Sequence, residues 1–151
     1  MQKQPNSRMC FVCGMQNPIG LKAFFYQDEA GRVIAHFIGK EEHQGYPGVM
    51  HGGIVTALLD EVIGRVAIAH EMWAVTAKLE VRFRRPVPVG QPLTLIGEMT
   101  HRRHRTLEGR GEIRLEDGTV AAEAQGVYIR LSQEEIERVE KELEFWRVVP
   151  D

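Results

Sequence analysis

From Ile54 onward the apolar residues of this chain fall at 54, 55, 58, 59, 62, 63, 66 and 67. That i, i+3, i+4, i+7 spacing predicts a helix with a wide apolar face. Its one narrow non-apolar stripe is Thr56, Asp60 and Gly64. A helix this apolar belongs inside a sheet rather than on a surface.

On both sides of the helix the pattern changes to strands. Leu21 to Gln27 and Arg32 to Ile38 read as a hairpin turned at Asp28-Glu29-Ala30-Gly31. A loop rich in turn residues runs from Gly39 to Met50. Val75 to Phe83 alternates, with Ala77, Leu79, Val81 and Phe83 apolar and Lys78, Glu80 and Arg82 polar, until Pro86 and Pro88 end it. Leu93 to Met99, Leu107 to Leu115 and Thr119 to Leu131 follow, the last two joined by a tight Asp117-Gly118 turn. Small residues Ala122, Ala124 and Gly126 would let a helix pack closely on the last strand. Ser132 and Glu135 form a capping box for a C-terminal helix striped by Ile136, Val139, Leu143 and Trp146. Residues 1–20, with Pro5 and Pro18, read as an irregular leader. Two strands, a buried helix and four strands make an α+β order. The expectation is a single domain over 1–151, with a C-terminal helix and tail over 132–151.

Composition narrows the setting. At 151 residues the chain is long enough for its own core. A net charge of −2 gives no reason to expect a nucleic-acid partner. Asp60, Glu61 and Arg65 interrupt the longest apolar stretch, which excludes a membrane span there. The first nine residues are polar and lack a signal-peptide pattern, and the two cysteines make no disulfide framework. A cytoplasmic location is therefore expected.

The chemistry concentrates between His51 and Glu61, HGGIVTALLDE. Gly52 and Gly53 open the helix, where the first N–H groups lack internal partners and carry partial positive charge. Such donors stabilise a carbonyl oxygen that gains charge during reaction. Asp60 lies about two turns on, roughly 10 Å by helical rise. One helix thus does not readily offer both groups to one carbonyl, but two helices side by side in a dimer could. Read alone, the glycines are equally a turn and Asp60 a hydrogen-bonded polar residue.

Taken with Tyr46-Pro47-Gly48, the stretch GYPGVMHGGIVTALLDE resembles the signature of hotdog-fold acyl-CoA thioesterases, most closely the PaaI-like branch and related mammalian thioesterase-superfamily proteins. The resemblance is strong over 45–61 and looser from about 10 to 131. It implies a hotdog fold, a curved antiparallel sheet wrapped around one long central helix. It also implies an enzyme that hydrolyses acyl-CoA thioesters. The separation of Gly52 from Asp60 along one helix adds the expectation of a homodimer with the two sheets joined edge to edge, paired into a homotetramer. No cofactor, metal or membrane partner is expected. The resemblance makes Asp60 the base or nucleophile and Gly52 the oxyanion donor, with Gly53 serving the turn. His51 is a further catalytic candidate, by contact with substrate or direct acid–base work, or else caps the helix, and Glu61, about 100° around the helix from Asp60, is a structural or rim residue. Thr76, ten residues before Pro86, matches a family Ser or Thr that orients the water or the acid. Some relatives carry an Asn six residues before the HGG histidine. Here that position is Gly45, and the adjacent Gln44 is the candidate substitute.

Other readings stay open. A non-catalytic acyl-CoA-binding module would share the fold. A hotdog dehydratase resembles a pattern with a glutamate fourteen residues after its histidine, and from His43 that count lands on Ala57. The run His101-Arg102-Arg103-His104-Arg105 suits coenzyme A phosphates, with Arg103 and Arg105 as candidates, or is a solvated basic turn. Arg82, Arg84 and Arg85 form a second basic group. Cys10-Phe11-Val12-Cys13-Gly14 is half of a zinc knuckle. A closed zinc site needs four ligands, so reduced structural thiols are the expectation, ahead of a metal or a redox pair.

Overall fold

The computed structural model describes the whole chain, Met1–Asp151. Its strands are β1 Gln2–Lys3, β2 Asn6–Ser7, β3 Phe25–Gln27, β4 Val33–Ile38, β5 Ala74–Phe83, β6 Pro92–Arg102, β7 Thr106–Arg114, β8 Val120–Arg130 and β9 Trp146–Arg147. Its helices are α1 Gly52–Ala69 and α2 Gln133–Glu142. Seven strands form one antiparallel sheet in the order β1-β3-β4-β6-β7-β8-β5. Helix α1 packs against β3 through β8, the α+β arrangement the patterning anticipates. No helix is long and apolar enough to cross a membrane.

The helix sits deep because the sheet has a trough for it. Gly97 of β6 stands opposite Gly111 of β7, which in turn stands opposite Ala124 of β8. Gly109 of β7 faces Gly126 of β8. A methyl group at Gly97 would collide with the backbone carbonyl of Val62, and one at Gly109 would come within 2.7 Å of the Ile63 side chain. These gaps let Leu58, Leu59, Val62 and Ile63 reach complete burial. Each such side chain contributes roughly 1.5–3 kcal/mol by leaving water.

Three expectations need correction. The first strand is shorter than Leu21 to Gln27, because Lys22 adopts φ 53° and breaks the extended run. Leu21 and Ala23 instead donate their N–H groups to the carbonyls of Phe11 and Val12. The leader is also more ordered than its composition suggests. It supplies β1 and β2, and it buries Gln4, Asn6 and Ser7. The Asn6 amide donates to the carbonyls of Cys13 at 2.8 Å and Ala23 at 3.0 Å. Finally, Trp146 is not on the last helix. The Ser132–Glu135 capping box starts α2 as expected, but the helix stops at Glu142 and Glu144 turns to φ 65°. Trp146 then pairs with Ser7 in the β2–β9 ribbon.

Candidate active site

Helix α1 begins at a capped turn. His51 is its N-cap, and the ring nitrogen Nδ1 accepts the Gly53 N–H at 2.8 Å. Because Nδ1 accepts, a neutral His51 carries its proton on Nε2. Ile54 and Val55 donate to the His51 carbonyl, so the first turn consumes those two donors and the Gly53 N–H. The Gly52 N–H makes no hydrogen bond within the chain, as expected for a first-turn donor facing outward. Beside it lies a groove of about 660 Å³. Tyr46, Val49, Met50, Val55, Phe83 and Pro86 line it, together with His51, Arg84 and Arg85. Gln44 is not among the lining residues. Its side-chain oxygen accepts the Gly48 N–H at 3.1 Å and closes the preceding loop.

Asp60 is half-buried and its carboxylate is anchored on one side only. The Thr76 hydroxyl donates to Oδ1 at 2.7 Å. The Tyr128 phenol donates to the same oxygen at 2.9 Å and also lies 3.1 Å from the Asp60 carbonyl. Oδ2 has no protein partner and is left for water or substrate. Tyr128 is 2% exposed, and its ring lies between Gly64 of α1 and Gly126 of its own strand. Burial, and then the Asp60 charge beside it, holds its phenol far above the usual tyrosine range. Tyr128 therefore stays protonated and remains a donor.

Tyr128 is the residue sequence reasoning missed. Its one signal was a pair of glycines, Gly64 and Gly126, on facing elements, which leaves room for a ring between them. Glu61 turns away from Asp60, as expected from its place on the helix. Its Oε1 accepts from Arg65 Nε at 2.9 Å.

The structure gathers only part of the candidate set. Asp60 and Thr76 meet directly. Gly52 and His51 meet at the groove, where Arg84 and Arg85 are the local cations, while Gly53 is not among its lining residues and spends its N–H on His51. Arg84 is paired with Glu123 at 2.6 Å, while Arg85 makes no ion pair. Arg103 and Arg105 sit on the β6–β7 turn, whose neighbour Arg102 donates to the His70 carbonyl at the far end of α1. An 18-residue helix spans about 27 Å, so within one chain those two arginines are remote from Gly52.

This fold has relatives. A sequence model of the thioesterase superfamily matches residues 47–122, just over half of the chain. Acyl-coenzyme A thioesterase THEM4 of Bos taurus is 28% identical over 126 residues, 82% of this chain and 52% of the bovine protein. THEM4 of Mus musculus is 26% identical over 135 residues, 88% of this chain and 58% of the mouse protein. The chain thus spans little more than half the length of these relatives. Among solved structures, the thioesterase superfamily protein RHA08564 superposes with a TM-score of 0.77 at 31% identity, over 80% of this chain and 63% of that one. The wrapped helix is the hotdog fold, and the chain belongs to the thioesterase superfamily.

Proposed function

We propose that this protein hydrolyses acyl-CoA thioesters to a free acid and coenzyme A, with Asp60 and Gly52 at the reacting carbonyl. The observation that carries this reading is the one-sided anchoring of Asp60. Oδ1 is held by Thr76 and Tyr128, which leaves Oδ2 with fixed direction and free lone pairs. Oδ2 takes a proton from water as the water attacks the thioester carbon, or attacks that carbon itself to give an acyl–Asp60 anhydride that water then hydrolyses to the free acid. The carbonyl oxygen becomes negative and accepts a hydrogen bond from the Gly52 N–H. The C–S bond then breaks and the coenzyme A thiolate leaves. Arg84 and Arg85 at the groove suit its phosphates.

The two halves of this site come from two subunits. Strand β5 is the edge of the sheet, and Val75 and Phe83 are about half exposed. A ten-residue unpaired edge is a template for another strand. Thr76 on β5 touches Asp60, while the Phe83 ring lies 3.6 Å from where a Gly52 side chain would begin. Pairing β5 antiparallel with its own copy, Thr76 opposite Phe83, sets Asp60 of one subunit beside Gly52 of the partner subunit. The same two-fold axis carries the partner's basic β6–β7 turn toward this end of the groove. We infer a homodimer on this edge, paired further into a tetramer.

A thiol-release assay over a panel of acyl-CoA thioesters tests the activity. Turnover well above the buffer rate is expected with at least one acyl group. Tight binding without release would make this a binding module instead. Single-turnover hydrolysis in ¹⁸O-water tests the nucleophile role of Asp60: label found in Asp60 requires an anhydride opened by water at the Asp60 side-chain carbon, whereas a general base sends label to the released acid alone.

A further inference from the structure

Next to Asp60, but facing away from the groove, α1 meets the leader. The CxxC segment folds into a tight turn in which the Gly14 N–H donates to the Cys10 carbonyl at 2.7 Å. A side chain on Gly14 would collide with the Cys10 backbone, so only glycine allows this closure. The turn sets the two sulfurs side by side, with the Cys13 N–H 3.5 Å from Cys10 Sγ. It also presses them onto Glu61, whose Oε2 lies 3.9 Å from Cys10 Sγ. The two sulfurs and a Glu61 carboxylate oxygen all fall within 4.8 Å of one another. Around a tetrahedral zinc ion, with bonds of ~2.3 Å to sulfur and ~2.0–2.2 Å to oxygen, neighbouring ligand atoms stand about 3.5–3.8 Å apart. Closing these three atoms onto an ion asks for shifts of about 1 Å or less.

The surroundings suit a cation complex. Glu61 presents one oxygen to the sulfurs and commits the other to Arg65, the kind of outer contact that orients a metal-binding carboxylate. Arg65 is itself buried, 2% exposed, and fixed by the Pro5 carbonyl. Two thiolates and a carboxylate carry three negative charges. A divalent ion and the Arg65 guanidinium carry three positive ones, so the filled site is neutral in a place where net charge is costly. Soft thiolates select zinc over magnesium or calcium.

We propose that Cys10, Cys13 and Glu61 bind one zinc ion, with the fourth position taken by water. The ion staples the leader to α1 one residue from Asp60. The third ligand is the element that the two-cysteine pattern lacked in the sequence, and it lies 48 positions beyond Cys13.

The test is metal binding by the full-length protein, prepared reduced and anaerobic, stripped with a chelator, and titrated with cobalt(II). A sulfur-to-cobalt charge-transfer band saturating at one equivalent per chain, and bleached by zinc, is expected. Cys10→Ser should abolish the band. Glu61→Gln should keep it but weaken binding by ~10-fold or more, the loss that even outer-shell partners produce. The absence of any charge-transfer band in the wild-type protein, with both thiols reduced, overturns the site. So does an undiminished band in folded Cys10→Ser. If that variant does not fold, the wild-type titration decides alone. Binding is read without turnover, so the outcome stands whether or not thioester hydrolysis is found.

Discussion

The hydroxyl of Tyr128 reaches Oδ1 of Asp60 at 2.9 Å from 68 residues away in sequence, and its ring occupies the gap left by Gly64 and Gly126. Asp60 is thus positioned by the sheet rather than by its own helix. Tyr128→Phe keeps the ring and removes the donor. The carboxylate then keeps Thr76 as its one anchor. We expect kcat to fall by roughly 10–10²-fold, the scale of a misplacement on the order of 1 Å. Stability should fall by about 1–3 kcal/mol, as for a hydrogen bond to a charged group. Thr76→Val should act in the same direction. Steady-state kinetics and thermal melts on the same preparation check both.

Asp60→Asn separates chemistry from structure. The amide oxygen can still accept from Thr76 and Tyr128, so the fold should survive. The basic, nucleophilic carboxylate is gone, and kcat should fall by roughly 10²–10⁴-fold. Full turnover in the folded Asn variant would falsify the assignment of Asp60 as base or nucleophile.

The glycines of the trough divide into two kinds. Gly97 faces the Val62 backbone, which cannot step aside, whereas Gly126 faces the Tyr128 ring, with a methyl group set 2.6 Å from it. Gly97→Ala should cost stability, about 1–3 kcal/mol of overpacking, and preserve turnover per folded molecule. Gly126→Ala should push the ring off its seat and lower kcat as Tyr128→Phe does. The contrast is read by plotting kcat against melting temperature for the two variants. Equal behaviour would mean that the ring has no positioning role.

Hydrophobic periodicity carries most of this fold. The run from Ile54 to Ala67 marks α1, and the alternating residues mark β7 and β8, because each buries one face; β5 alternates in sequence although none of its residues is fully buried within the chain. Asp60 stands out for the same reason: it is a carboxylate among residues that all face a core. What escapes the pattern has no period. Strands β1, β2 and β9 are two residues long, too short to alternate. Gln4 and Asn6 are buried by hydrogen bonds to loop carbonyls and other polar groups, so their polarity reads as surface. Arg65 reads as a solvated charge, yet it is enclosed by Glu61, Phe25 and Trp146. Tyr128 reads as an ordinary strand aromatic, since nothing in its own segment reveals the carboxylate it meets. The distance of Arg103 and Arg105 from the groove follows from which strands pair, a long-range fact.

Basic residues at the two ends of α1 can be told apart by kinetics. Arg85 borders the groove within the chain, whereas Arg103 and Arg105 reach it only through a two-fold neighbour. Arg85→Ala should raise KM with kcat nearly unchanged, the mark of lost uniform binding. The Arg103→Ala, Arg105→Ala double variant should do the same if the partner's turn closes over coenzyme A. An unchanged KM in either variant identifies that cluster as a solvated turn.

The shared site is tested by separating its two halves. Gly52 is the first residue of α1, and His51 before it has φ −57° and ψ 135°. That conformation is the one a residue preceding proline adopts, and the first helical position tolerates proline. Gly52→Pro therefore deletes the N–H with little change in backbone shape. It should lower kcat by roughly 10²–10³-fold, the value of one oxyanion donor. Asp60→Asn and Gly52→Pro proteins are then unfolded, mixed in equal amounts and refolded. If Asp60 of one subunit works with Gly52 of the partner subunit, a mixed dimer carries one site with both groups intact and one with neither. With two-fold symmetry and random pairing, the mixture should recover about a quarter of wild-type activity. If each subunit uses its own pair, every site in the mixture lacks one group and activity stays at the level of the separate variants. Sedimentation of the mixture, run alongside, must show dimers or tetramers built from them, and a strict monomer with full wild-type activity would remove the two-subunit site altogether.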